Sequence, residues 1–567
     1  MKFTALVAGM AVLAASASTG VNALWPIPQN YTQGNSTLVV GDGFWFNVKT
    51  PHNLLASAVS RYQDIFVRQK HLPPHLYNLT FPGYSHPQLT NLDITVKDTT
   101  KAELKLGVDE SYTLNVPEKG GAASLSSNTV WGAIRGLETF IQLLVGHTNK
   151  QFILNAPVAV TDYPKYQHRG IMLDTSRNYY PVADILRTLD AMAWNKMNVF
   201  HWHIVDSHSW PLVSEKFPLL SGKGAYSQSQ VYTKRDIQQI IAYAYQRGIR
   251  VIPEFEMPGH NYAFGLAYPN LTVCSDLDPY DDYAAEPPSG QLDISNKDLY
   301  PILSEFLKEQ ATYFNDEYVH LGADEINKKC YNDTPHVAEW LKAQGKNASQ
   351  ALSDFGLWAH GELEKLGKYG ITWEEEILEE KSPLPKDRTI VQVWKGAANT
   401  KLAVDMGYKV IAGSYEYNYL DCGHGGWLGN WTWGNSWCDP YKSWQRVYDY
   451  HPTANLTVEQ TKNVLGSEVL LWSEQSDTHT LDSFLWPRAS AGAEVYWSGR
   501  FDASGVKRDV AKAMARITDM RHRLVERGVG ANPLQPLWCA RHPGRCNTTP
   551  GIWKFAPVEY PDSNTLG

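Results

Sequence analysis

The sequence predicts a (β/α)8 barrel preceded by a small α+β domain. Three features carry that prediction. Eight short apolar runs alternate with helical stretches after residue 165, a different strand-rich pattern precedes them, and acids and tryptophans gather where the apolar runs end.

The chain opens with Met1-Lys2, an apolar run from Phe3 to Ala15 and the small residues Ser16-Ala17-Ser18. This is the layout of a secretory signal peptide over residues 1–18. The run is too short to span a membrane and no later apolar run is long enough, so a soluble, secreted mature chain with no membrane partner is expected. Nine Asn-X-Ser/Thr sequons fit a glycosylating compartment: Asn30, Asn35, Asn78, Asn270, Asn332, Asn347, Asn430, Asn455 and Asn547. Six cysteines point to as many as three disulfides. Of the fifteen pairings six cysteines allow, the nearest-neighbour set is the simplest: Cys274/Cys330, Cys422/Cys438 and Cys539/Cys546.

Residues 19–164 read as an α+β domain, with strand-like runs at 91–96, 111–116 and 152–160. A helix from Thr129 to Leu144 carries Trp131, Ile134, Leu137, Phe140 and Leu144 at three- and four-residue spacing, which makes one apolar face. No catalytic constellation stands out here, so the domain reads as structural, and cleavage of a propeptide at its start stays open.

Residues 165–567 read as the barrel with a C-terminal extension. Its strands are expected at 170–174, 197–202, 250–255, 318–321, 371–373, 389–394, 409–412 and 468–472, with helical connectors such as 182–195 and 234–247. The connection between the last two strands is unusually long and holds Trp427, Trp431, Trp433, Trp437 and Trp444. Long loops inside compact domains are usually functional or disordered.

A formal charge of −8 and the lack of a basic run argue against nucleic acid as a partner. The 20 Trp and 31 Tyr favour carbohydrate, because aromatic faces stack on the apolar faces of sugar rings. In a barrel the catalytic groups follow the strands. There the sequence places Asp174-Thr-Ser-Arg177, His201-Trp-His203 with Asp206, Glu254 with Glu256 and His260, Asp324-Glu325, Trp373-Glu-Glu, Trp394, Tyr419-Leu-Asp421 and Trp472-Ser-Glu474. The adjacent acids matter most. Neighbouring carboxyls push each other's pKa apart, so one stays ionised while the other carries the proton that cleavage of a glycosidic bond needs.

The ordered motifs RGIMLDTSRNYY, NKMNVFHWHIVDSHSW, EFEMPGH, HLGADE, YLDCGHGG and LWSEQ resemble glycoside hydrolase family 20, the β-N-acetylhexosaminidases, over nearly the whole chain after residue 18. The family more often has Gly at Ala323, Asp at Glu256 and His at Asn178. The resemblance implies an exo-acting, retaining, cofactor-free enzyme that removes terminal β-linked N-acetylhexosamine, with the substrate's own acetamide as nucleophile. Glu325 would be the general acid and base, Asp324 the acceptor of the acetamide N–H, and Tyr419 a donor to its carbonyl. Trp373, Trp394 and Trp472 would wall the acetamide, Arg177, Asp421 and Glu474 would bind sugar hydroxyls, and Asp206 and His260 would tune Glu325. Trp437 matches the position where chitin-degrading insect relatives stack a second sugar, which points to chitobiose or a similar oligosaccharide. N-acetylgalactosamine also fits, and a homodimer is implied by the eukaryotic relatives.

Two other readings compete. His201-Trp-His203 with His208 resembles the metal pair of an amidohydrolase, but that pair belongs after a first strand, whereas here it lies in the second. No Cys/His cluster has zinc-site spacing, so no metal is expected. A catalytically silent chitin-binding barrel is opposed by retention of both Asp324 and Glu325.

Overall fold

The computed structural model describes residues 23–80 and 85–548, so the segment read as a signal peptide lies outside the described residues. Eight parallel strands close into a barrel: His168–Asp174, Val199–Val205, Arg250–Phe255, Tyr318–His320, Tyr369–Trp373, Thr389–Val393, Lys409–Ala412 and Val464–Leu471. Each expected apolar run is one of these strands, shifted by a few residues at its ends. The eighth strand closes on the first from Gly466 opposite His168 to Leu471 opposite Leu173. The fourth strand is the shortest seam, meeting the third only where His320 faces Glu254. The chain after His320 is therefore free to turn into the barrel mouth.

Alternation along the strands fills the barrel in layers. Val199, Ile252, Ile371, Ile390, Ile411 and Leu465 form an apolar floor. One step up, the inward positions are polar. His201 lies 2.8 Å from both Glu254 and Glu468, His320 lies 3.0 Å from Glu254, and Gln392 donates to Glu468 at 2.6 Å. Above this charged layer, Met172, Trp373, Trp394, Tyr419 and Leu470 form an apolar cluster at the mouth.

The preceding domain is a six-stranded mixed sheet formed by Asn30–Val48, Gln88–Val96, Tyr112–Val116, Gly121–Ser127, Leu144–His147 and Lys150–Asp162. Two helices, Asn53–Arg68 and Val130–Gln142, pack with it. The second helix is buried on every side because its far face meets the barrel. There Arg135 donates to the Arg247 and Gly248 carbonyls at 3.1 and 2.8 Å. Glu110 joins the two domains, accepting from Arg135 at 2.8 Å and from Arg169 at 2.6 Å. Pairing leaves neither charge buried alone. Trp25 is fully buried against the barrel, its indole N–H on the Ser490 carbonyl at 2.8 Å.

The disulfides are Cys274–Cys330, Cys422–Cys438 and Cys539–Cys546, the nearest-neighbour set. Among the described residues no helix is long and apolar enough to cross a membrane.

Candidate active site

A cleft of about 310 Å³ opens at the C-terminal ends of the barrel strands. Nine of the twelve predicted catalytic and sugar-binding residues line it: Arg177, Asp324, Glu325, Trp394, Tyr419, Asp421, Trp437, Trp472 and Glu474. Asp206, His260 and Trp373 stand behind that lining and are held against it.

The turn that presents the acid pair is strained. Gly322, Ala323 and Glu325 all have positive φ, at 65°, 76° and 50°. A Cβ on Gly322 would land on the Glu256 carboxylate, so only glycine fits there. Ala323 tolerates a conformation that favours glycine, at about 1–3 kcal/mol. The strain aims both carboxyls into the cleft in different surroundings. Asp324 is 7% exposed, and its Oδ1 has no hydrogen-bond partner among the described residues. The Glu325 side chain is 31% exposed, with Oε2 3.3 Å from His260 Nε2.

These surroundings separate the two acids. Burial, then the nearby charge of Glu256, pushes Asp324 well above the usual carboxylate range. Desolvation also pushes Glu325 upward, but the His260 hydrogen bond and charge outweigh it and leave Glu325 below its ordinary value. The two carboxyls are thus pushed in opposite directions, Asp324 up and Glu325 down. Burial alone would lower His260, but Asp206 at 3.3 Å holds it well above its usual value as an imidazolium.

Arg177 Nη1 reaches Asp206 at 2.9 Å and Asp174 at 3.6 Å, and its guanidinium lies 4.9 Å over the Trp472 ring. Asp174 also accepts from Ser473 Oγ at 2.9 Å, tying the first strand end to the eighth. Asn178 uses its amide to bond the Ser473 carbonyl at 2.6 Å. Glu256 reaches His203, 3.2 Å away, rather than His260, and burial pushes it up to about 7. Burial also pushes Asp421 up to about 7 and raises Glu474 well above its usual value, the latter aided by the charge of Glu286.

Trp394, Tyr419 and Trp472 form the aromatic wall, with Tyr419 6.2 Å from each indole. Trp437 meets Trp394 edge-on at 5.9 Å. Trp373 is buried, 6.2 Å from Trp472, and its indole N–H donates to Glu254 at 2.7 Å. It backs the wall while anchoring it to the charged layer below. Burial raises the Tyr419 phenol well above its usual value, so it stays a donor.

Several cleft residues carried no strand-end signal. Glu286, which pairs with Arg177, lies in the long loop after the third strand, marked only by the following Pro287-Pro288. Tyr280 and Trp427 also line the cleft. Glu375, which the strand-end run Trp373-Glu-Glu does contain, accepts from the Trp394 indole at 3.0 Å and meets Lys395 at 3.1 Å, fixing the wall from outside. His201, Glu254 and His320 have ligand atoms close enough to share a cation, as do His260, Asp324 and Glu325. In both groups, however, histidine nitrogens already face carboxylates.

The barrel, the strained acid pair and the indole wall define a carbohydrate-cleaving enzyme of the barrel class. The chain belongs to glycosyl hydrolase family 20: the model of that family's catalytic domain matches residues 166–500, and one described as beta-acetyl hexosaminidase like matches residues 24–143. It is similar to Beta-hexosaminidase 1 of Coccidioides posadasii, 36% identical over 82% of each chain. It is 37% identical to the chitooligosaccharidolytic beta-N-acetylglucosaminidase of Ostrinia furnacalis, over 83% of this chain and 81% of that one. The structure resembles that of Flavobacterium johnsoniae chitobiase, with a TM-score of 0.73 and 28% identity over 89% of this chain and 73% of that one.

Proposed function

We propose that the cleft removes terminal, non-reducing β-linked N-acetylglucosamine from chito-oligosaccharides, with retention, using the substrate's 2-acetamido group as nucleophile. The observation that carries this reading is the buried, unpartnered Oδ1 of Asp324 beside Glu325. An acceptor left without a donor is costly, and a substrate amide N–H supplies one. A hydrogen bond to the carboxylate favours its ionised form. Binding of the acetamide thus favours the ionised form of Asp324 and leaves Glu325 as the acid of the pair. Glu325 then protonates the leaving oxygen while the acetamide carbonyl, oriented by Tyr419, attacks the anomeric carbon. Asp324 faces the developing positive charge on the amide nitrogen, and Glu325 later activates water. An internal nucleophile so held gains an effective molarity on the order of 10⁵ M or more.

Arg177, Asp421 and Glu474 bind the hydroxyls of the terminal sugar, and Trp394 and Trp472, backed by Trp373, enclose the acetamide. The chitooligosaccharidolytic and chitobiase relatives favour a chito-oligosaccharide over other N-acetylhexosaminides. Release of nitrophenol from 4-nitrophenyl N-acetyl-β-glucosaminide tests the reading; no release above background would sink it.

The same reading places the enzyme outside the cell as a glycoprotein. Support comes from exposure of every sequon asparagine, Asn30, Asn35, Asn78, Asn270, Asn332, Asn347, Asn430, Asn455 and Asn547, so burial excludes none as an acceptor. The assembly implied by the resemblance is a homodimer, which light scattering tests.

A further inference from the structure

The connection closed by Cys422–Cys438 exposes more indole than any need of the fold explains. Trp433 is 81% exposed and Trp437 59% exposed, and Trp427 and Trp431 are each 39% exposed. Among the described residues nothing bonds or stacks on Trp433. The loop is nevertheless braced. Gly423 N donates to Ser436 Oγ at 3.0 Å, the Trp431 indole donates to the Asn435 carbonyl at 2.9 Å, and His424 stacks on Phe484 at 4.0 Å. A large apolar group held out in water by an ordered loop marks an interaction site.

Composition narrows the partner. Charged residues make up 19% of the chain, so about three would be expected between the two cysteines, yet residues 423–437 contain no Asp, Glu, Lys or Arg. A polyanion would call for basic residues and a polyamine for acidic ones. An uncharged surface of indoles, glycines, asparagines and hydroxyls suits a neutral polymer with apolar ring faces and amide groups. The surface is also continuous with the cleft, because Trp427 and Trp437 line it and the Trp431 ring lies against Gly426 between Gly425 and Trp427. Trp433 is four residues from Trp437, so their Cα atoms lie at most about 14 Å apart.

We propose that the outer face of this loop, centred on Trp433, is a second carbohydrate-binding surface that holds the downstream part of a β-linked N-acetylglucosamine polymer while its end occupies the cleft. The proposal rests on the substrate class proposed above and extends it from oligomer to polymer. It assigns Trp433 no part in bond cleavage.

The test uses the full chain carrying E325Q, so that bound polymer is not consumed, and reads retention on insoluble chitin. The added W433A change should weaken retention roughly three- to tenfold, the size of one aromatic contact. W433Y should restore most of it. In the otherwise unchanged chain, W433A should leave kcat/KM on a small aryl N-acetylglucosaminide within about twofold. Unaltered chitin retention by W433A would overturn the proposal, whether or not Asn430 in the same loop carries a glycan. So would equal losses on chitin and on the aryl glycoside, which would make Trp433 a structural residue. Failure of the unaltered chain to cleave the aryl glycoside would instead count against the cleft, since retention needs no turnover.

Discussion

His260 stands with Nε2 3.3 Å from Glu325 Oε2, joining the exposed member of the acid pair to the buried Asp206. Arg177 closes the same group, 2.9 Å from Asp206. This line of charge runs from the cleft rim to its back and holds Glu325 below its ordinary pKa, while burial and Glu256 push Asp324 above its own.

Replacing His260 by Asn removes the imidazolium that holds Glu325 down. Glu325 should then take up a proton at a higher pH than before. The acid limb of the kcat/KM–pH profile, which reports the free enzyme, should therefore move to higher pH. A limb that stays in place would show that His260 does not set this proton.

Glu325→Gln should lower turnover by about 10² to 10⁴, the usual contribution of a positioned general acid, with little change in substrate binding. Because the Glu325 side chain is partly exposed, the variant should keep its melting temperature. Turnover equal to the parent's would remove Glu325 from the mechanism.

In the proposed mechanism, Asp324→Asn supplies a neutral amide where the acetamide N–H would have a carboxylate acceptor and the intermediate a counter-charge. Turnover should fall, and thiazoline mimics of the bicyclic intermediate should inhibit the parent strongly and the variant weakly. Labelling of a protein carboxylate by a fluoro-sugar would contradict the internal nucleophile.

The charged layer beneath the cleft predicts an alkaline loss of stability. Burial presses His201 down, but Glu468 and Glu254 outweigh it and raise its pKa to about 9. A raised folded pKa contributes stability that is whole below the unfolded value of about 6.5 and is lost as the pH climbs. The melting temperature should fall as the pH rises through about 9, less steeply in His201→Gln. Equal slopes in the two proteins would rule out this coupling.

Much of this was legible in the sequence because barrel strands are buried on both faces and read as continuous apolar runs. The strand ends then ordered eight of the nine cleft residues without any tertiary information, and Trp437 followed from the long loop. What escaped detection lacked such a pattern. The strand Asn30–Val48 opens on a polar run and buries only Leu38 and Val40, so no alternation marks it. The helix Asn53–Arg68 buries Leu54, Leu55, Ala58, Val59 and Tyr62, a stripe whose helical spacing stands inside a strand-rich segment. Glu286 reaches Arg177 from a loop remote in sequence, and only the folded chain shows the pair. The opposite shifts of Asp324 and Glu325 depend on burial, Glu256 and His260, which adjacency alone cannot convey.

Trp437 tests the substrate class itself. Its indole stands edge-on to Trp394, 5.2 Å from Tyr415 and 6.2 Å from Tyr419, yet 59% of the residue remains exposed at the cleft mouth. A residue serving only to cover the disulfide would be buried like Cys438, which is 1% exposed. The Cys422–Cys438 crosslink closes the loop and lowers the entropy lost when an aromatic face is ordered against a second sugar. Trp437→Ala should therefore raise KM for chitobiose several-fold, while kcat on a small aryl N-acetylglucosaminide, which has no second sugar, stays nearly intact. Removal of the indole also frees one face of Trp394, so a modest rise in KM on the aryl substrate is compatible with this role. Equal losses of kcat on both substrates, or a drop in melting temperature of several degrees, would show instead that Trp437 holds the wall together.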